Sequence, residues 1–241
     1  AATLGRVLVV LPTYNEAENI TPITERIRKA VPDADILIAD DNSPDGTGRL
    51  ADDLAAADGH IHVLHRTGKE GLGAAYIAGF RWGLTAGYDV LVEHDADGSH
   101  QPEYLPQMLA RLQTADAVKG SRYVPGGNLW TRLMLGIPVK DATGGFTAWR
   151  AQTLRGIDLD GVEAAGYGFQ VDLVWRALRE GFVVAEVPIT FIERERGDSK
   201  MSGAIVAEAM LLTTRWGIRY RLGQLRDLAA RLTGRASKES A

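Results

Sequence analysis

The first half of the sequence alternates short apolar segments with longer amphipathic ones, and this alternation constrains the fold more than any other feature. The apolar segments are rich in Val, Ile and Leu, which is typical of strands buried on both faces of a parallel sheet. In the first amphipathic segment, Ile20, Ile23 and Ile27 recur at helical spacing. Strands joined by helices of this length predict right-handed βαβ units and an open, mostly parallel α/β sheet flanked by helices. We predict strands over residues 7–11, 35–39, 61–64, 90–93 and 117–120, and helices over residues 16–30, 46–57, 72–86 and 102–113.

The second half of the sequence is less regular. A passage with Pro and Gly at residues 125–128 and a glycine-rich passage at residues 142–146 predict loops and short helices that cover a site. A helix over residues 169–180, a strand over residues 183–187 and a polar loop over residues 194–202 are expected to follow.

The last part of the chain is expected to form a C-terminal helical extension. Residues 203–232 mix several arginines with Trp, Tyr, Ile and Leu. That mixture favours either a helix lying at a membrane interface or a terminal helix packed on the domain with a solvated arginine face. The most apolar stretches are shorter than the roughly 18 uncharged residues that a spanning helix needs. We therefore expect any membrane contact of this sequence to be peripheral or to come through a partner.

Polar residues follow each of the first four predicted strands. The carboxyl ends of parallel strands meet at one edge of such a sheet, and ligands bind beyond that edge. The sequence therefore predicts a binding site there. The polar groups are Thr13 to Glu16 after the first strand, Asp40 and Asp41 after the second, residues 66–71 after the third, and Asp95 and Asp97 after the fourth.

Asp95-Ala96-Asp97 is the strongest local signal for chemistry. Two carboxylates spaced in this way at a strand end can hold Mg²⁺ or Mn²⁺, which keep coordination positions open for diphosphate oxygens. Taken alone, the same pattern is more often a solvated turn or a helix cap. Its place in the series of strand ends favours a metal and a nucleoside-diphosphate ligand.

Other polar residues could contact the same ligand. A carboxylate at Asp41 could accept hydrogen bonds from a base or ribose. Arg122, Arg194 and Lys200 lie in predicted loops, where cations can bind phosphate, although each one singly is more often a surface charge.

Several function classes are disfavoured. The formal net charge is −4, which argues against a nucleic-acid binder. The sequence has no cysteine, so thiolate metal sites are excluded. The glycine-rich residues 68–73 do not match a Walker A loop or a dinucleotide fingerprint. The five histidines show no firm zinc-ligand spacing.

Six motifs follow one another along the chain: LPTYNE at 11–16, DDNSPDGT at 40–47, GLGAA at 71–75, DAD at 95–97, GSRY at 120–123 and SK at 199–200. Together they resemble the polyprenyl-phosphate mannose synthases, the dolichol-phosphate mannose synthase group of family 2 glycosyltransferases. The motif DATGGF at residues 141–146 and the Ala- and Arg-rich composition resemble actinobacterial polyprenol-monophosphomannose synthases most closely. The resemblance runs from Val7 to about Ser202. It implies a GT-A fold, a catalytic domain over residues 1–202 and a helical segment over residues 203–241 that could lie at a membrane interface.

The resemblance also implies roles for individual residues. Asp95 would contact the donor and, with Asp97, hold Mg²⁺ or Mn²⁺. Ser99 departs from the family pattern, because some relatives carry a Gln metal ligand there. The segment after Gly127 also departs, being shorter than the usual basic and aromatic segment. The nucleoside would be held by Pro12, Tyr14, Glu16 and Asp41. The donor and acceptor phosphates would be bound by Arg122, Arg194 and Lys200. These three cations and the two aspartates would form the catalytic set.

The resemblance implies an inverting transfer of mannose from GDP-mannose to a polyprenyl phosphate at the cytoplasmic face of the membrane. Membrane contact would be peripheral, or through a membrane-embedded partner or a fused domain. Two alternatives stay open on the residues alone: a UDP-glucose-dependent transferase acting on polyprenyl phosphate, and a noncatalytic subunit that binds a nucleotide sugar.

Overall fold

The computed structural model describes residues 4–122, 133–162, 168–190, 211 and 213–222. Its described strands form one sheet of seven strands. The strands are β1 (Val7–Thr13), β2 (Asp35–Asp40), β3 (Ile61–His65), β4 (Val90–Glu93), β5 (Ala117–Ser121), β6 (Thr147–Arg150) and β7 (Val184–Pro188). The helices are α1 (Ile20–Ala30), α2 (Thr47–Ala57), α3 (Leu72–Thr85), α4 (Leu105–Leu112), α5 (Ala151–Gly156) and α6 (Gly168–Arg179), with a 3₁₀ turn at Pro102–Tyr104.

The sheet order is β3-β2-β1-β4-β6-β5-β7. β1 pairs in parallel with both β2 and β4, so the carboxyl ends of these strands meet at one edge. β6 runs antiparallel between β4 and β5, which leaves β4 and β5 parallel to each other. The mostly parallel sheet flanked by helices is thus confirmed, and Arg122, directly after β5, lies at the same edge as Asp95.

The antiparallel strand β6 was missed by the sequence analysis. Four residues with mixed polarity carry too weak a pattern to predict a strand. Its two neighbours decide it: Trp149 lies opposite Leu91 of β4 and opposite Ala117 of β5, and its side chain is fully buried.

Two predicted helices begin later than expected. The helix predicted from residue 16 begins at Ile20, because residues 16–19 form a turn in which the Asn19 amide donates to the Glu16 carbonyl. The helix predicted over residues 102–113 is a 3₁₀ turn followed by α4, with Pro106 in the first turn of α4. Proline has no N–H to donate and fits only the first turn of a helix, so it marks that boundary.

Both faces of the sheet are covered by apolar side chains. One core includes Tyr76, Phe80 and Trp149, and the other includes Ile20, Ile27 and Phe146. Burial on both faces explains why β1, β2 and β4 read as continuous apolar runs.

The described part of the C-terminal segment, residues 213–222, is helical and packs on the domain. Trp216 is buried and stacks on Trp175 of α6, with ring centroids 6.1 Å apart. Another face of this helix exposes Ile218 and Leu222 beside Arg215. Within the described residues, no helix combines the length and hydropathy that crossing a bilayer requires.

Candidate active site

Asp95 and Asp97 lie in the turn that follows β4, near the middle of the sheet, and both are half-buried. The hydroxyl of Tyr76 donates to Oδ1 of Asp95 over 2.8 Å. The Ser99 amide donates to Oδ1 of Asp97 over 2.9 Å. Gly98 has φ of +76°, a conformation that favours glycine, so the turn between the two contacts depends on it. The two carboxylates are therefore held in defined orientations at the strand end.

Two histidines lie beside these carboxylates and are neutral at ordinary pH. His94 and His100 are buried against the Phe146 ring, and burial lowers the pKa of each to about 4. Nδ1 of His94 lies 2.8 Å from the backbone oxygen of Asp95. Among the described residues, no group of three or more His, Asp or Glu side chains forms a metal site by itself.

The donor set fits a hard divalent cation that also binds substrate. Mg²⁺ is commonly held by one or two carboxylates together with phosphate oxygens and waters, rather than by a complete protein cage. Asp95 and Asp97 supply carboxylates of this kind. Ser99, which departs from the pattern expected by resemblance, has a buried side chain.

A buried network that the sequence analysis missed lies directly beneath this turn. Oε1 of Glu93, the last residue of β4, accepts a hydrogen bond from Trp149 Nε1 over 2.6 Å. Burial raises the pKa of Glu93 to about 8, although the positive charge of Lys119 lowers it, and burial lowers the pKa of Lys119. Nζ of Lys119 donates to the Gly144 carbonyl and, over 3.2 Å, to Oγ1 of Thr147. Lys119 thereby links the segment that leads into β6 to β5. A lysine in the middle of an apolar strand was the sequence signal for this buried network.

Arg122, directly after β5, forms a bidentate ion pair with Asp141. Its Nε and Nη2 lie 2.6 and 2.9 Å from the carboxylate oxygens, and Nη2 also donates to Thr143. The Arg122 and Gly144 amides donate to the same carboxylate. Burial alone would raise the pKa of Asp141, but these bonds and the Arg122 charge lower it well below its ordinary value. The orientation of the guanidinium is thus fixed by Asp141.

The residues expected at the nucleoside end lie around the ends of β1 and β2. Pro12 is inside β1, opposite Ala39, rather than in a loop. The carboxylate of Glu16 is buried and accepts a hydrogen bond from Asn19 over 2.8 Å. Nζ of Lys69 lies 4.3 Å from the centre of the Tyr14 ring.

Asp41 follows β2 and contacts the guanidinium of Arg66, which also lies 2.7 Å from Oε2 of Glu70. Burial, together with the neighbouring charge of Asp40, raises the pKa of Asp41 although Arg66 lowers it. Arg66 was not among the candidates from the sequence, although it stands at the end of β3, where polar groups were expected.

The structure therefore brings seven of the nine candidate residues to one edge of the sheet. Arg194 and Lys200 lie outside the described residues, as does the segment after Gly127. The seven are Pro12, Tyr14, Glu16, Asp41, Asp95, Asp97 and Arg122.

Comparison with known proteins identifies the chain. The model of the family described as Glycosyl transferase family 2 matches residues 8–161. This chain belongs to glycosyl transferase family 2. It is 56% identical to an undecaprenyl-phosphate mannosyltransferase of Micrococcus luteus, over 92% of this chain and 98% of the relative. It is 53% identical to the polyprenol monophosphomannose synthase of Mycolicibacterium smegmatis, over 92% and 91%.

The fold agrees with this membership. The structure is similar to glucosyl-3-phosphoglycerate synthase from Mycobacterium tuberculosis, crystallised with Mn²⁺, uridine diphosphate and phosphoglyceric acid. The TM-score is 0.67 at 21% identity, covering 87% of this chain and 78% of the other. The GT-A fold expected from the sequence is confirmed, and the chain is a glycosyltransferase.

Proposed function

We propose that this glycosyltransferase moves mannose from GDP-mannose to the phosphate of a polyprenyl lipid, with inversion at the anomeric carbon. The observation that carries the proposal is the pair Asp95 and Asp97 at the end of the central strand β4, in a chain so similar to mannosyltransferases of lipid phosphates. A pair of carboxylates at this place suits a nucleoside-diphosphate sugar.

Asp97, together with Asp95, would hold Mg²⁺ or Mn²⁺. When bound, such an ion neutralises the charge that develops on the departing nucleoside diphosphate. The contacts from Tyr76 and the Ser99 amide keep the two carboxylates in place before substrate arrives. Fixed groups of this kind need little reorganisation during the reaction.

The nucleoside would bind at the ends of β1 and β2, against Pro12, Tyr14, Glu16 and Asp41. Burial disfavours the charge on Asp41, so N–H or O–H donors of a base or ribose would stabilise it. Guanine offers two such donors on one edge, which suits a single carboxylate.

The acceptor needs no general base. A lipid monophosphate with a second pKa near 6 is largely dianionic at neutral pH. One of its oxygens forms the new bond to the anomeric carbon while the bond from that carbon to the GDP oxygen breaks, and GDP leaves with the electron pair. Arg122, Arg194 and Lys200 would offset the repulsion between the two phosphate groups. The ion pair with Asp141, which fixes the Arg122 guanidinium at the edge of the sheet, supports this role.

We place the enzyme at the cytoplasmic face of a membrane, in peripheral contact or beside a membrane-embedded partner or fused domain. The exposed Ile218 and Leu222, with Arg215 and Arg219 on the same helix, suit an interface with anionic lipid. Residues 1–202 would then be the catalytic domain and residues 203–241 the segment nearest the lipid.

The test is transfer of labelled sugar to a polyprenyl phosphate, scored in an organic extract. GDP-mannose and UDP-glucose are compared in parallel, with Mg²⁺ or Mn²⁺ and then with EDTA. We expect label from GDP-mannose only, and its loss with EDTA. Label only from UDP-glucose would change the donor and keep the acceptor. Binding of a nucleotide sugar without a lipid product from either donor would overturn the proposal in favour of another acceptor or a noncatalytic role.

A further inference from the structure

Gln170 is a buried polar residue that has no role in the proposed function as stated above. It lies in the first turn of α6, and 2% of its surface is exposed. Within the described part of the chain, its Oε1 is buried and accepts no hydrogen bond. Buried amide oxygens are nearly always paired, because the loss of water is otherwise uncompensated. An exception beside a candidate active site is explained if a ligand supplies the missing donor.

Gly145 brings Gln170 next to the aspartate of the DAD motif. A Cβ atom added at Gly145 would lie 3.3 Å from Oδ2 of Asp95 and 3.4 Å from Nε2 of Gln170. Both side chains therefore flank the same point of the backbone. A larger residue at position 145 would fill the space between them.

A second contact fixes the first turn of α6 relative to Asp95. Phe169 stacks on Tyr76 with ring centroids 5.8 Å apart and an angle of 3° between the planes. Tyr76 in turn donates to the carboxylate of Asp95. The position of Gln170 is thus coupled to Asp95 through the stacked rings as well as through Gly145.

The sheet order shows which part of the donor would meet Gln170. The nucleoside residues lie at β1 and β2, on one side of β4, and Gly145 immediately precedes β6, on the other side. A donor with its base at β2 and its diphosphate at Asp95 and Asp97 directs its sugar towards Gly145 and Gln170. A hexose carries several hydroxyl donors of the kind that Oε1 can accept.

We infer that Gln170 recognises the transferred hexose, with its Oε1 accepting a hydrogen bond from a sugar hydroxyl. This rests on the proposed function and assigns to it a residue that selects for the sugar part of the donor. A buried acceptor of this kind discriminates strongly between ligands that satisfy it and ligands that do not.

The experiment compares two ligands that differ only by the sugar. Binding of GDP-mannose and of GDP to the full chain is measured by calorimetry with Mg²⁺, for wild type, Gln170→Leu and Gln170→Glu. Gln170→Leu should weaken GDP-mannose by about tenfold or more and leave GDP within about twofold. Gln170→Glu keeps an acceptor oxygen and should lose less. Gln107→Leu, the same substitution on an exposed face of α4, should change neither.

The outcomes separate this inference from the proposed function. Equal weakening of both ligands by Gln170→Leu, or no weakening of either, would overturn the role in sugar recognition while wild-type binding stood. A wild type that binds UDP-glucose instead would overturn the donor, and the same variants compared on UDP-glucose and UDP would then decide the role of Gln170. A wild type that binds no nucleotide sugar would overturn both.

Discussion

Asp41 and Asp141 each lie at the candidate site and each contact an arginine, yet their pKa values shift in opposite directions, although burial raises both. Arg122 and two backbone amides donate to Asp141, and its pKa is lowered. Asp41 contacts Arg66, but burial raises its pKa overall. A carboxylate whose hydrogen bonds and ion pair outweigh the cost of burying its charge stabilises the loop in which it lies. A carboxylate whose charge is incompletely compensated gains from a ligand's donors, so the difference favours a structural role for Asp141 and supports the binding role proposed for Asp41.

The largest effect on the reaction should come from neither of these residues but from Asp97. Asp97→Asn should lower mannose transfer by about 10³-fold or more, because the carboxylate proposed to hold the metal is lost. Labelled transfer at saturating Mg²⁺ measures it. Asp160→Asn, at a side chain that is 84% exposed, should keep wild-type transfer. Transfer by Asp97→Asn at the wild-type rate would show that the assignment is wrong.

Asp141→Asn should mainly destabilise the fold. The substitution removes the charge that pairs with Arg122. Because the Arg122 side chain is 27% exposed, water can partly replace the lost partner. We therefore expect the unfolding free energy to fall by about 2 kcal/mol. Urea denaturation measures this loss. The same substitution at Asp158, whose side chain is 69% exposed, should change stability by less than about 0.5 kcal/mol. If the two variants were equally stable, Asp141 would have no special structural role.

Asp41→Asn should affect donor binding more than stability, the reverse of what we expect for Asp141→Asn. Its stability should change less than that of Asp141→Asn, because burial already disfavours the charge that is removed. The KM for GDP-mannose should rise by about tenfold through the loss of a charged acceptor, with a smaller change in kcat. The contrast between the two aspartates would fail if Asp41→Asn unfolded as easily as Asp141→Asn and bound the donor normally.

The smallest effect is a pH dependence of stability that arises from the histidines beside Asp95. The folded pKa of His94 is lowered to about 4, so below pH 6.5 the unfolded chain takes up a proton that the folded chain does not. Unfolding free energy should therefore fall by roughly 1 kcal/mol per such ring between pH 6.5 and 5.5. Asp141 stays ionised in this window because its pKa is lowered. Glu93, whose pKa burial raises to about 8, and Asp41, whose pKa is also raised, act in the opposite direction, so the net fall is smaller than the histidines alone would give.

His94→Leu tests the origin of this slope. The variant should lose the contribution of His94 and keep those of the other groups, including His100, whose pKa is also lowered to about 4. Urea midpoints of wild type and variant at the two pH values measure the difference. A slope that did not change in the variant would assign the acid sensitivity to other groups.

The sequence alone determined the strands and helices of the first half and the edge at which the site lies. Both follow from local rules: apolar runs of four to seven residues bury on two faces, and polar residues directly after parallel strands must meet at one edge. Asp41, Asp95 and Asp97 were found in this way. The order of the motifs along the chain predicted the family, which the comparisons confirmed.

Only the tertiary structure decided the second half of the site. β6 is a strand because β4 and β5 pair with it on both sides, not because of its own pattern. Lys119 and Arg122 acquire their partners from residues 19 to 28 positions away, and Gln170 meets Asp95 across Gly145. Such contacts leave no period in the sequence, because the geometry of packed elements, rather than the spacing of residues along the chain, brings the groups together.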